Sequence, residues 1–198
     1  EWFGASVFLL MTGGYYFSSL NSVRYYFVLA IVLYAMKFVI RKQYGLFLFW
    51  IIFASFFHKS ILVVIPIFLL ARWLADRKIN KIFYLVGGLF LASLLVFRDV
   101  YREIVFFFYP FYEGSVYDVV DFSITNIAKC TGTLLLSFMF YKGAIKDNIQ
   151  NRFYLFLNLA GTAVYTFGAF VPEVSRIGYY VIISQIFLIP GILIRIEN

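Results

Sequence analysis

The feature that most constrains this chain is a single long apolar stretch, residues 44–74, YGLFLFWIIFASFFHKSILVVIPIFLLARWL. It is interrupted once, by His58-Lys59-Ser60. As one continuous helix it would be about 45 Å long at about 1.5 Å per residue. A bilayer core is only about 30 Å thick. A single helix would also carry Arg72, Arg77, Lys78 and Lys81 to the side opposite most other basic residues. The stretch therefore reads as a broken or re-entrant helix pair that turns near His58. Irregular backbone at membrane depth is tolerated where it lines a cavity within the protein. His58 is the only histidine in the chain. An ionisable group inside apolar sequence is costly, which makes it a functional candidate by default.

Composition agrees with a lipid-facing chain. Hydrophobic residues make up 63% of the 198 and aromatics 23%, and the mean hydropathy is +0.88. A soluble domain is about 45–50% apolar, so the excess has to face lipid. Strand-period alternation does not recur, which argues against a β-barrel. The predicted fold is all-α, a polytopic transmembrane helical bundle forming one integral-membrane domain over residues 1–198. The chain opens and closes inside apolar sequence with no initiating Met, and reads as a piece of a longer protein lacking some N-terminal helices. The lone Cys130 excludes an internal disulfide, and no glycine-rich nucleotide motif is present. One histidine and no carboxylate cluster predict no metal and no cofactor.

The apolar spans fall at residues 2–17, 23–40, 44–74, 82–97, 126–141, 153–170 and 177–194. Residues 98–125 hold Arg98, Asp99, Arg102, Glu103, Glu113, Asp118 and Asp121 beside the aromatic run FFFYPFY. They read as an extracytoplasmic interfacial loop with rings at headgroup depth, or as a platform on which sugars stack. Arg98 and Arg102 are most simply solvated there.

The net charge of +7 would suggest nucleic acid in a soluble chain. Here it follows the excess of Lys and Arg in cytoplasmic loops, and no nucleic-acid partner is expected. Lys37, Arg41, Lys42, Arg72, Arg77, Lys78, Lys81, Lys142, Lys146, Arg152 and Arg195 group on one side. That side holds eleven of the 17 basic residues against four acids, while the other balances six with six. The first side is then cytoplasmic.

On the outer side every inward-running helix begins near a cation: Arg24, Lys59, Lys129 or Arg176. Helix N-termini favour acids. A helix start with a cation, however, presents N–H groups and fixed charge together to an anion such as phosphate. Arginine suits phosphate best, through its planar fork. Plainer roles stand beside this one. Arg24, Lys59 and Lys129 can snorkel to headgroups. Arg176 can pair with Glu173 on the same helix face, and His58 can be a satisfied packing residue.

Three segments together resemble the EpsG family of bacterial exopolysaccharide membrane proteins, relatives of Wzy-type O-antigen polymerases. Asn21-Ser22-Val23-Arg24 opens an apolar helix like the family's Asn-x-hydrophobic-Arg signature. Phe57-His58-Lys59-Ser60 before ILVVIP resembles its Phe-His-x-Ser and aliphatic run. Ser175-Arg176, Gly178-Tyr179-Tyr180 and Ile189-Pro190 are similar to its late Arg-x-x-x-Tyr helix. Tyr25 stands where the family often has Gln, so a role for that amide is not carried over.

The resemblance implies a metal-independent glycosyltransferase-type polymerase in the bacterial cytoplasmic membrane, multi-pass, with its site on the extracytoplasmic side. Its substrate is an oligosaccharide repeat carried on undecaprenyl pyrophosphate. Its partners are the bilayer, a chain-length regulator and a flippase of the same pathway. In this reading Arg24 and Arg176 clamp the pyrophosphate and His58 orients or deprotonates the acceptor hydroxyl. Asn21, Ser60, Lys59, Tyr179 and Lys129 bind substrate. Two other functions remain open from the residues: a transporter or flippase of lipid-linked saccharide, and a membrane acyltransferase using His58 as base.

Overall fold

The computed structural model describes residues 3–16, 22–77, 81–115, 118, 122–172 and 174–197. Among these residues all regular structure is helical. In chain order the α-helices are α1 (Phe3–Thr12), α2 (Val23–Ile40), α3 (Tyr44–Ser55), α4 (Val64–Asp76), α5 (Lys81–Val96), α6 (Arg98–Phe108), α7 (Ile124–Met139), α8 (Ile149–Phe167), α9 (Val174–Ile182) and α10 (Gln185–Glu197). A 3-10 segment, Lys59–Val63, leads into α4, a second follows α6 at Pro110–Tyr112, and a π-turn, Tyr141–Ile145, precedes α8.

The long apolar stretch is broken at His58. His58 is extended, with φ −154° and ψ 106°. Pro66 lies in the first turn of α4, where a missing N–H is tolerated. A longer α-helix would place Pro66 in its interior, where the ring meets the carbonyl four residues back. The chain enters α4 through 3-10 geometry instead. The two halves are unequal. The 12 residues of α3 reach about 18 Å, short of a bilayer core. The 3-10 segment and α4 together reach about 30 Å.

A second break separates α9 from α10 at 183–184, and Pro190 lies inside α10. Proline cannot donate to the carbonyl four residues earlier. That carbonyl, on Ile186, instead accepts from the Ser6 hydroxyl at 2.9 Å.

The helix α3 lies along α2, α4 along α8, and α8 also carries α7 and α9. The core between them is dense with rings: Phe47 stacks on Phe68 at 6.0 Å, and Phe68 meets Phe153 edge-on at 5.8 Å. Large apolar side chains also point outward, among them Phe49, Ile52, Leu85, Leu89, Phe90, Leu135 and Phe138. So extensive an apolar exterior suits lipid. Val23–Ile40 and the α9–α10 pair, Val174–Ile196, are long and apolar enough to cross a membrane. Phe3–Thr12, Tyr44–Ser55 and Leu85–Val96 are shorter apolar helices.

Apolar contact alone leaves such helices free to slide. Polar bonds pin them. Gln185 donates to Asn158 Oδ1 at 2.6 Å, and Asn158 donates to the Cys130 carbonyl at 3.0 Å. Tyr15 donates to Gln185 Oε1 at 3.3 Å. This buried chain joins α7, α8 and α10 to the segment after α1.

Two of the basic residues grouped by sequence, Arg72 and Lys42, meet at one end of the bundle. Arg72 is only 3% exposed. It donates to the Ile40 carbonyl at 3.3 Å and pairs with Asp76, which also pairs with Lys42 at 2.9 Å. The ends of α2 and α4 thus meet the start of α3, so residues 44–76 leave and return at one end of the bundle. Asn151 adds the start of α8, donating to the carbonyls of Ala144 and Gly191.

Residues 98–108, expected within a loop, are helical. Phe97, Val100, Ile104, Phe107, Phe108 and Phe111 recur at helical spacing and are all exposed. Arg102, expected to be solvated, pairs with Asp118. That guanidinium holds the Asp118 carboxyl below the usual carboxylate range.

Candidate active site

Opposite the basic end, three segments converge: the first turn of α2, the turn at His58 and the start of α9. The Tyr25 hydroxyl donates to the Arg176 carbonyl at 2.7 Å. The Tyr25 ring meets the His58 ring edge-on at 5.7 Å and lies 5.2 Å from the Tyr180 ring. Ser60 Oγ is 2.8 Å from His58 Nδ1 and 3.2 Å from the Tyr180 hydroxyl. A hydroxyl–hydroxyl–imidazole chain therefore runs from the buried Tyr180 out to the half-buried His58.

Local sequence explains the placement. His58 is the extended residue between the two apolar helices, and Ser60, two residues on, reaches back to its ring. Close approach of α8 and α9 presents Tyr180 to the cluster. A Cβ on Gly178 would stand 2.3 Å from Tyr165 Cζ, so only glycine admits this packing. Tyr165 then donates to the Ser175 carbonyl at 3.0 Å.

Two hydrogen-bond polarities satisfy the His58–Ser60 pair. If Ser60 donates, Nε2 carries the ring proton. If Nδ1–H donates to Ser60, Nε2 is an open base. His58 lies in the turn between helices. Burial, and after it the Arg176 charge, pushes its pKa below the ordinary value. The imidazole is therefore neutral at pH 7, which suits proton acceptance and not phosphate binding as a cation.

The other predicted site residues fall into two groups. Arg24, beside Tyr25 in the first turn of α2, and Lys59, at the start of the 3-10 segment, are exposed near this cluster. Arg176 is half-buried, and its backbone is held by Tyr25. Lys129 and Tyr179 gather around Tyr15. Lys129 donates to the Gly13 carbonyl at 2.8 Å and sits 5.3 Å from the Tyr15 ring, and Tyr179 meets that ring edge-on at 5.5 Å. Asn21, and Glu173 as partner for Arg176, lie outside the described residues. Among the described residues no cluster of three His, Cys, Asp or Glu is placed to hold a metal ion.

Sequence reasoning missed Tyr25 and Tyr180 as members of the cluster. The available signal was chemical: a tyrosine in an apolar run has a hydroxyl that needs a partner.

The chain matches the EpsG family over residues 1–198. It belongs to the EpsG family. No curated protein and no solved structure matches it. Membership of the EpsG family, with the apolar helices, marks a membrane protein and points to Wzy-like polysaccharide polymerisation.

Proposed function

We propose that this EpsG-family protein joins lipid-linked oligosaccharide repeats at the extracytoplasmic face of a bacterial cytoplasmic membrane, and that the His58 cluster is its acceptor site. The observation that carries this reading is the convergence of Tyr25, His58, Ser60, Tyr180 and the Arg176 backbone at the end opposite the basic cluster. The spans cross the membrane several times, and the exposed apolar face of α6 rests in the outer headgroup layer.

In the reaction, a sugar hydroxyl of the incoming repeat attacks the anomeric carbon of the growing chain. A new C–O bond forms as the bond to the undecaprenyl pyrophosphate breaks. The electron pair leaves on the pyrophosphate oxygen. His58 Nε2 takes the hydroxyl proton in the tautomer whose Nδ1–H donates to Ser60, and later releases it to water. Arg24 and Arg176 stabilise the negative charge on the leaving pyrophosphate. The leaving group is already a stable anion, so the reaction needs no general acid and no metal. Lys59 adds charge at the mouth. Asn21, Lys129 and Tyr179 contact more distant parts of the substrate.

The test replaces Arg24 and Arg176 with Lys and His58 with Ala, and measures polymer yield and length in membranes where each variant inserts normally. Each substitution is expected to abolish polymer. Unchanged polymer in all three overturns the assignment. The helix break also suits a carrier of lipid-linked saccharide. Purified protein given lipid-linked repeats separates the two readings, because only a polymerase lengthens the glycan.

A further inference from the structure

A second recognition surface lies at the basic end, remote from His58. The C-terminal half of α2, the first turns of α8 and Phe187 of α10 enclose a cleft of about 300 Å3. Its walls are apolar: Leu33, Met36, Tyr154 and Phe187. Its rim is cationic, formed by Lys37 and Arg41 with the Gln150 amide between the helices. Arg41 caps the end of α2 four residues after Lys37, and both line the cleft.

Among the described residues the rim charges lack an acidic counterpart: neither Lys37 nor Arg41 forms an ion pair with a carboxylate, whereas the neighbouring Lys42 is bound to Asp76. The Lys37 ammonium sits 3.5 Å from the centre of the Tyr34 ring, which fixes its position and leaves donors for an anion. The carbonyl end of α2 and the N–H end of α8 face the same cleft and offset each other. Lys37 and Arg41 are the charged side chains that line the cleft. A small inorganic anion would leave the apolar walls uncovered. A zwitterionic lipid would bring its own cation against Lys37 and Arg41.

We propose that this cleft binds one anionic phospholipid. Its phosphate lies between Lys37 and Arg41 with Gln150 donating to it, and the upper part of an acyl chain lies against Leu33, Met36, Tyr154 and Phe187. The site stands apart from the polymerase reading and holds whether or not His58 is catalytic.

The test is native mass spectrometry of the full chain in detergent, titrated with dioleoylphosphatidylglycerol, dioleoylphosphatidylcholine or inorganic phosphate. One phosphatidylglycerol adduct is expected to persist. Phosphatidylcholine should bind about tenfold more weakly, and millimolar phosphate should leave the adduct in place. The paired change Lys37→Gln with Arg41→Gln should weaken the adduct about 30-fold, since each cation near an anionic surface contributes about 1 kcal/mol. Lys37→Arg should retain it. Leu33→Trp should lower binding with both cations intact, by filling the cleft, and Met36→Trp replaces it if that variant does not fold. Circular-dichroism melting checks the fold of each. Equal binding of the two lipids, unchanged binding by the doubly neutralised variant, or displacement by millimolar phosphate overturns the proposal.

Discussion

The two ends of the bundle treat polar groups in opposite ways. At the basic end Arg72 is buried, and its donors are spent on a helix-terminal carbonyl and on Asp76, which Lys42 also holds. Charge in the Arg72–Asp76–Lys42 trio is matched within the protein and serves to close a turn. At the other end the described contacts of His58 are to uncharged groups, the Ser60 hydroxyl and the Tyr25 ring. Arg24 and Lys59 stand exposed beside it. Matched charge locks a fold, whereas a neutral imidazole near cations can still receive an anionic substrate. Within one small helical protein, the state of the partners separates scaffold from site better than residue type does.

That contrast can be broken most decisively at His58. His58→Ala should lower polymer formation about 100-fold or more, the scale of a lost general base, while the unfolding midpoint in detergent stays at the wild-type value. A matching loss of stability would make His58 a packing residue and dissolve the distinction.

Arg72→Ala should do the reverse. It strands the Ile40 carbonyl and removes one of the two cations from Asp76, which should cost about 2–3 kcal/mol of stability, read by thermal or denaturant unfolding in detergent. Polymer formation per folded molecule should change little. Ser60→Ala should reduce kcat about tenfold with KM nearly constant, because the His58 ring loses its positioning bond.

The pH profile sharpens the same point. His58 has its folded pKa pushed below the ordinary value of about 6.5. Activity should therefore be level at neutral pH and fall as pH drops through that lowered pKa, when the base becomes protonated. Stability follows the same sign. Below about 6.5 the unfolded chain binds a proton that the folded chain resists, so His58's contribution is complete above that pH and declines beneath it. The smallest effect belongs to Lys42→Ala. Its side chain is 58% exposed, and the loss should stay below about 0.5 kcal/mol.

Much of the architecture was legible in the sequence because it rests on local or compositional rules. The span 23–40 coincides with α2. The break at His58 followed from length and charge together, since 31 apolar residues as an upright helix overshoot a bilayer core and would carry Arg72 away from most other basic residues. The grouping of Lys42 and Arg72 at one end followed from charge asymmetry. The site was legible only in part. Ser60 and His58 are two residues apart, but Tyr25 and Arg176 are separated by 151 positions. Nothing in either neighbourhood announces their contact. In a chain so rich in aromatics, two tyrosines carry no mark of distinction until their hydroxyls are traced. Lys129 shared the pattern of the other helix-start cations, but its ammonium is bound to Gly13. The helical start of the 98–125 segment was hidden by its charges, which lie on one face with phenylalanines on the other.

The buried amides of Asn158 and Gln185 have a consequence for alignment. In an apolar exterior one leucine or phenylalanine substitutes readily for the next, so greasy surfaces alone recognise a neighbouring helix at several offsets. Sliding α10 along α8 by one turn, about 5.4 Å, would orphan the amide pair and the Tyr15 hydroxyl together in surroundings without water. Three polar side chains thereby act as index marks, selecting one offset for the helix pair that carries Arg176 and Tyr180.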